Sequence, residues 1–259
     1  MLKNIPSGHD ILGNIAVLKF HKGTKAGNKK KAAQNLLKKV KGITTVLEKS
    51  EKVKGRLRTI KTKLLAGKNT REATYRENNC TLKLNIDSCY FSPRLSNERL
   101  ELARKIKKTD NVLVMFAGVS PFPIVIAKLA KPKKVISIEL GKTCHKYGKE
   151  NIKLNKLNNV EILQGDVKKI VPRLKKKKFE KIVMPRPQLK DTFLKEAMLV
   201  SKKNTIIYYY GFGNDVKEVF EEIKSSLEKL KKKVKIINVK KAGNIAPYRF
   251  RWRVDMKVM

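Results

Sequence analysis

The chain has 259 residues, with 62 Lys and Arg against 22 Asp and Glu, for a formal charge of +40 at pH 7. Self-repulsion on that scale points to a polyanionic partner, nucleic acid first, although runs such as Lys29-Lys30-Lys31, Lys175 to Lys178 and Lys231-Lys232-Lys233 read as solvated faces. A hydrophobic content of 41% suits a large domain plus a small one, each with its own core, and no apolar run reaches membrane-spanning length or forms a signal-peptide core. Cys80, Cys89 and Cys144 show no CxxC spacing, which argues against a disulfide frame or zinc site and for small buried residues in a reducing, cytoplasmic setting.

Residues 1–85 read as a small α+β domain. Ile11 to Leu18 predicts one strand with a kink at Gly13, Lys29 to Val40 a helix through Ala32, Leu36, Leu37 and Val40, and Thr44 to Leu47 a strand. The stretch from Gly55 to Leu65 is basic and Gly67 to Asn69 is a turn. Glu72 to Ile86 predicts paired strands turning at Asn78-Asn79.

Residues 86–259 read as an α/β domain with a mostly parallel, Rossmann-like sheet. A helix over 96–107 precedes strand 112–116, helix 121–130, strand 135–138, helix 142–156, strand 160–163 and a helix near 166–173. Strand 180–184, helix 189–200, strand 205–210, helix 214–232 and strands 234–239 and 250–258 complete the pattern. The last strand alternates with period two and reads as antiparallel, at a half-exposed edge.

Ligands in such sheets bind outside the carboxyl ends of the strands. After the first strand the chain runs Phe116-Ala117-Gly118-Val119-Ser120-Pro121, a small-residue turn. Glu139 ends the second strand, where a carboxylate can accept from both ribose hydroxyls, and Asp166 follows the third, where it can accept from an adenine amino group or simply cap a helix. Two such acids at successive strand ends behind this turn favour an adenosine site.

At this point the chain resembles the archaeal and eukaryotic tRNA methyltransferases that act on N1 of guanosine 37. The resemblance is carried by Ser7 to Ala16, Gly55-Arg56-Leu57-Arg58, Tyr75 to Cys80 and, most specifically, Asp87 to Arg99. Met115 to Val119, Glu150 to Asn155, Tyr208-Tyr209-Tyr210 and Ala246-Pro247-Tyr248 extend it. It implies a class I methyltransferase fold using S-adenosylmethionine, a small RNA-contacting domain before it, and the absence here of a further N-terminal domain found in some members. It implies a tRNA substrate bound at the anticodon region, no metal, no protein partner, and a monomer.

Carried over by position, Glu98 resembles the general base that takes the N1 proton, and Arg58 the residue that holds guanine O6. Tyr90, Arg99, Phe116, Ala117, Gly118, Glu139, Leu140, Asp166, Val167 and Pro185 fall where the family contacts its cofactor. The chemistry agrees: N1 must lose its proton as the methyl arrives, and charge then develops on O6, where a guanidinium stabilises it. Glu98 is otherwise a first-turn helix charge, and Arg58 otherwise a phosphate contact.

Three positions depart from the family. Val114 stands where an Asp normally ends the first strand, Ser120 where the turn usually carries Gly, and Pro185 where an Asn helps to position the target base, in Val183-Met184-Pro185-Arg186-Pro187. Arg186 is then a candidate replacement for the lost polar contact, or a phosphate ligand. Related enzymes that transfer the aminocarboxypropyl group of the same cofactor to a modified guanosine also lack that Asn, and are the alternative reading beside a non-catalytic tRNA-binding homologue.

Overall fold

The computed structural model describes residues 8–50, 55 and 59–259. The chain divides into two units: residues 1–77 with 81–93, and residues 78–80 with 94–259. The change of unit after Pro93 lies beyond the expected boundary at residue 85 because Ile86 to Cys89 stay with the first unit, where Ile86 N donates to Arg71 O at 2.9 Å and Cys89 N to Asn85 O at 2.9 Å.

In the first unit, β1 (Gly8–Leu12), β2 (Ile15–Lys19), β3 (Thr45–Lys49) and β4 (Thr62–Gly67) form a sheet in that order. β1 and β2 pair antiparallel and β2 and β3 pair parallel. The parallel step needs a crossover, supplied by α1 (Ala26–Lys39), whose Leu36 and Leu37 pack with buried Ala33 against Ala16, Leu18 and Val46. The single kinked strand expected over 11–18 is instead a hairpin. Gly13 has φ +56°, and a Cβ there would lie 1.7 Å from the carbonyl oxygen of Thr74, so glycine turns the chain where a side chain has no room. β4 (TKLLAG) is a half-buried strand that the basic stretch 55–65 before and across its start masks in the sequence. β5 (Glu72–Glu77) and β6 (Cys80–Asn85) turn at Asn78 and Asn79 with φ 45° and 59°, as two-residue hairpins of this hand require.

In the second unit the sheet contains β7 (Asn111–Met115), β8 (Lys134–Glu139), β9 (Val160–Gln164), β10 (Phe179–Met184), β11 (Ser201–Gly213), β12 (Val234–Ala246) and β13 (Arg249–Val258). Their spatial order is β12-β13-β11-β10-β7-β8-β9. β7 to β11 run parallel, and β13 is antiparallel to both β11 and β12. The last strand is therefore antiparallel as expected but not at the edge. It inserts between β11 and β12, and β12, with mostly exposed residues, takes the edge.

The helices are α2 (Ser96–Arg104), α3 (Pro121–Ala130), α4 (Lys142–Leu154), α5 (Val167–Arg173), α6 (Leu194–Leu199) and α7 (Val216–Lys229). Right-handed crossovers put α3 and α4 on one face and α5 to α7 on the other. The α5–α7 face is the main core: Leu113, Met115, Ile136, Ile138, Ile182, Met184, Ile207, Tyr209, Val254 and Met256 meet Val171, Leu194, Val219 and Ile223. α6 begins at Leu194, not at 189, since Asp191 Oδ1 accepts from Phe193 N at 2.8 Å and Phe193 is held at φ 56°. Cys80, Cys89 and Cys144 are buried thiols that are not joined in disulfides. No helix among the described residues is long and apolar enough to cross a membrane.

Candidate active site

The site is built at the carboxyl ends of the central strands. After β7 the chain turns sharply, with φ of 60° at Phe116, 58° at Gly118 and 68° at Ser120. Ala117 N donates to Ile138 O at 2.8 Å, which ties the turn to β8. Glu139, 8% exposed at the end of β8, accepts from Gly118 N through Oε2 and from Gly141 N through Oε1, each at 2.7 Å. Burial raises its pKa above the ordinary 4.5, and the N–H groups of Gly141 and Gly118 act against that rise. Gly165 N donates to Glu139 O at 2.8 Å, so the end of β9 joins the same cluster.

Asp166 caps α5, accepting from Lys168 N at 2.9 Å through Oδ1, and Val167 opens that helix in a buried position. Phe116 packs edge-on to Phe193 with ring centroids 4.8 Å apart, and Lys168 Nζ lies 5.6 Å from the Phe193 ring and 2.5 Å from Asp191 Oδ2. The structure thus gathers Phe116, Ala117, Gly118, Glu139, Leu140, Asp166 and Val167 at adjoining strand ends. An adenosine fits this donor set: a buried carboxylate fixed by two amides, small residues at the turn, and a capping aspartate beside it.

Two departures have clear consequences. Val114 is fully buried in β7, between Ser137 of β8 and Val183 of β10, and supplies no charge. Ser120 keeps the glycine-like backbone at φ 68°, a conformation that costs a side chain about 1 kcal/mol. Its buried Oγ has no hydrogen-bond partner among the described residues. The turn survives because Gly148 of α4 faces it: a Cβ on Gly148 would lie 2.8 Å from Ser120 Oγ.

Arg186 is neither a phosphate ligand nor a stand-in for the lost Asn. It is 4% exposed, and every donor is used inside the protein. Nε donates to Tyr210 O at 3.0 Å, Nη1 to Leu189 O at 2.8 Å and Asp191 O at 3.0 Å, and Nη2 to both Glu222 oxygens at 2.5 and 2.6 Å. Its guanidinium also stacks on Tyr209, 5.0 Å from the ring centroid. Arg186 clamps the loop that begins at Pro185 onto β11 and α7.

Glu98 lies on α2 and is 5% exposed, so it is not a solvated first-turn charge. Its Oε1 accepts from Tyr210 Oη at 2.8 Å and from Arg253 Nη1 at 2.5 Å, while Oε2 meets Lys240 Nζ at 3.3 Å. Arg253, fully buried, also donates to Asp255 Oδ1 at 2.7 Å and Glu101 Oε1 at 2.9 Å. Lys105 pairs with Asp255 at 3.2 Å, and Lys240 with Glu101. Burial works against the Arg253 charge, but Glu98 and Asp255 outweigh it and hold the guanidinium pKa above its ordinary value. Burial, then the Glu98 carboxylate, push the Tyr210 hydroxyl well above its ordinary pKa, so it remains a donor. Tyr210 links this cluster to the turn side, its ring centroid 5.9 Å from that of Phe122 in the first turn of α3. Arg99, 1% exposed, holds its guanidinium 5.8 Å from the same Phe122 ring.

The sequence missed Arg253, Asp255, Glu101 and Lys240. The available signal was the period-two pattern of β13, which puts Arg253 and Asp255 on one face. Of the remaining candidates, Tyr90 belongs to the first unit and is 37% exposed, and Arg58 lies outside the described residues.

The strand order, with an antiparallel last strand inserted beside β11, defines a class I methyltransferase domain. Residues 73–237 match the TRM5/TYW2 methyltransferase domain model and residues 1–70 the TYW2 N-terminal domain model. The chain belongs to the TRM5/TYW2 methyltransferase family. It is 34% identical over 257 residues to the tRNA (guanine(37)-N(1))-methyltransferase Trm5b of Pyrococcus abyssi, covering 98% of this chain and 76% of that one. Among solved structures it is similar to aTrm5 in complex with tRNALeu (TM-score 0.86, 28% identity, 98% of this chain and 73% of that chain). It is also similar to TYW2 of Pyrococcus horikoshii in complex with MeSAdo (TM-score 0.83, 25% identity, 99% of this chain and 92% of that chain).

Proposed function

We propose that this protein transfers a methyl group from S-adenosylmethionine to N1 of guanosine 37 in tRNA, acting as a cytoplasmic monomer. The observation that carries the reading is the buried Glu98 carboxylate, paired with Arg253 on the same sheet that holds Glu139 at a strand end. In this reading Glu139 accepts from the ribose, Asp166 and Val167 meet the adenine, and Phe116, Ala117, Gly118, Leu140 and Pro185 line the remainder. Tyr90 and Arg99 serve the methionine end, where Val114 removes the family's carboxylate. The bound cofactor supplies a methyl group on a sulfonium, which carries its own good leaving group.

Glu98 takes the N1 proton as the new N–C bond forms, and Arg58 donates to O6 as charge gathers there. Extruding the guanine from its stack costs a few kcal/mol, and the lysine-rich surface, through phosphate contacts, helps to offset it. The net charge of +40 predicts tRNA affinity that falls steeply with salt.

A second reading, aminocarboxypropyl transfer to an already modified guanosine, is favoured by two specific observations. The N-terminal 70 residues match a TYW2 domain model, and Pro185 stands where the Asn is lost. Mass spectrometry of nucleosides, after incubation with cofactor and tRNA bearing unmodified guanosine 37, separates the readings. A gain of one methyl at position 37 is expected. An aminocarboxypropyl gain, seen with pre-modified tRNA only, establishes the second reading, and no gain on either tRNA leaves a binding protein.

A further inference from the structure

A buried carboxylate that must act as a base faces a conflict. Burial favours its neutral form, which cannot accept a proton. A cation beside it restores the charge, but a cation that occupied both oxygens would leave nowhere for the proton to go.

Glu98 is surrounded on four elements. Tyr210 of β11 and Arg253 of β13 both bind Oε1, at 2.8 and 2.5 Å. Lys240 of β12 reaches Oε2 at 3.3 Å and is shared with Glu101. Asp255 of β13, Glu101 of α2 and Lys105 just after that helix complete the charged surroundings, with Asp255 and Glu101 holding the far side of Arg253. The two oxygens are therefore not equivalent. Oε1 is fixed by two groups that are fully buried, or nearly so. Oε2 has one long contact to a lysine side chain that is 39% exposed and has a second carboxylate to turn to.

We infer that Arg253 and Tyr210 are positioning residues for the base: they pin Oε1, Arg253 sets a counter-charge beside the carboxylate, and Oε2 is the oxygen that takes the N1 proton. The inference rests on the reading of Glu98 as proton acceptor. The step balances simply. The N1–H bond breaks, its proton goes to Oε2, its electron pair becomes the new N–C bond, and the pair of the C–S bond that breaks would stay on the departing sulfur. Lys240 gives way to the incoming N–H by staying on Glu101. Arg253 retains Asp255 and Glu101 when Glu98 becomes neutral, so it is not stranded without a counter-charge during the step. Tyr210 cannot serve as the base itself, because its hydroxyl already donates to Glu98.

The test uses the full chain with Arg253→Met, Arg253→Lys, Tyr210→Phe and Glu98→Gln. Single-turnover methyl transfer to unmodified tRNA is followed from about pH 5 to about pH 9, with tRNA and cofactor affinities measured in parallel. Arg253→Met is expected to slow transfer about 100-fold at neutral pH and to recover as pH rises. Its acid limb should move up by about one unit or more, because an unpaired buried carboxylate ionises later. Affinities should stay within about twofold, and Arg253→Lys should restore most of the rate by restoring the charge. Tyr210→Phe keeps the ring and loses only the hydroxyl, so it reports even if Arg253→Met fails to fold. It is expected to slow transfer about tenfold with a smaller upward shift of the same limb.

An acid limb that stays in place, a loss equal at every pH, or no rescue by lysine overturns the inference. So does a Tyr210→Phe protein as fast as the parent. Glu98→Gln keeps the two failures apart. If it remains active, the base reading itself falls. If it is inactive while Arg253→Met keeps the parental pH profile, the base stands and only the positioning role falls.

Discussion

At its β11–β13 end the two faces of the large sheet use opposite chemistry. On the α5–α7 face, β7, β8, β10, β11 and β13 contribute Leu113, Met115, Ile136, Ile138, Ile182, Ile207, Val254 and Met256 to a continuous apolar core. On the α2 face, the alternate residues of β11 and β13 are Tyr210, Arg253 and Asp255, closed over by Glu98 and Glu101. One face stabilises through area removed from water. The other pairs charges that would be costly to bury singly, and an ion pair of that kind is weak evidence for stability. Through Tyr210 it reaches Phe122 at the start of α3, just after the turn whose Gly118 N binds Glu139, and the proposed reading gives it a use in chemistry.

The largest effect is expected at Glu98. Glu98→Gln is expected to lower turnover by about 10²–10⁴-fold, the range for loss of a general base, with tRNA affinity unchanged. Equal losses in rate and in tRNA binding, measured by single-turnover kinetics and titration, would make the polar face merely structural. Leu113→Ala, on the other face, is expected to destabilise the fold by about 3–5 kcal/mol and to leave cofactor affinity intact. Denaturant unfolding and calorimetry check that pair of outcomes, and an affinity loss matching the stability loss would erase the distinction between the faces.

Glu139 sharpens the comparison with a smaller effect. Glu139→Ala is expected to weaken cofactor binding about 10–100-fold, as for loss of charge-assisted hydrogen bonds. The raised pKa of Glu139 fixes the sign of the pH dependence. On acidification the folded state takes up this proton before the unfolded chain does, so at this site folding is favoured as pH falls through the folded pKa. Cofactor affinity moves the other way and begins to fall above pH 4.5, the ordinary glutamate value. Calorimetric titrations across that window should show the fall in the parent and none in Glu139→Ala.

The same contrast explains what could be read from the sequence. Apolar runs such as Val112 to Met115, the Asn78-Asn79 turn and the strand-end Glu139 are local signals, and the structure places them as expected. Gly13 was read as a kink because the crowding by Thr74 that makes it a hairpin turn comes from residues distant in sequence. The period-two alternation of β13 reads as a half-exposed edge strand. Its insertion between β11 and β12 is non-local, and only that insertion buries Arg253 and Asp255 and forces them to pair. The burial of Arg186 is non-local in part for the same reason: Tyr210 of β11 and Glu222 of α7 join Leu189 and Asp191 of its own loop in using up its donors. In the site, the residues that meet backbone were legible, and the buried side-chain network was not.

The most direct test of the account is a transfer assay with S-adenosylmethionine labelled separately in the methyl group and in the carboxyl carbon, using tRNA with unmodified guanosine 37. The account predicts methyl label in the tRNA, no carboxyl label, and loss of the methyl signal in Glu98→Gln. Carboxyl label in the tRNA, or methyl transfer undiminished without Glu98, would contradict it.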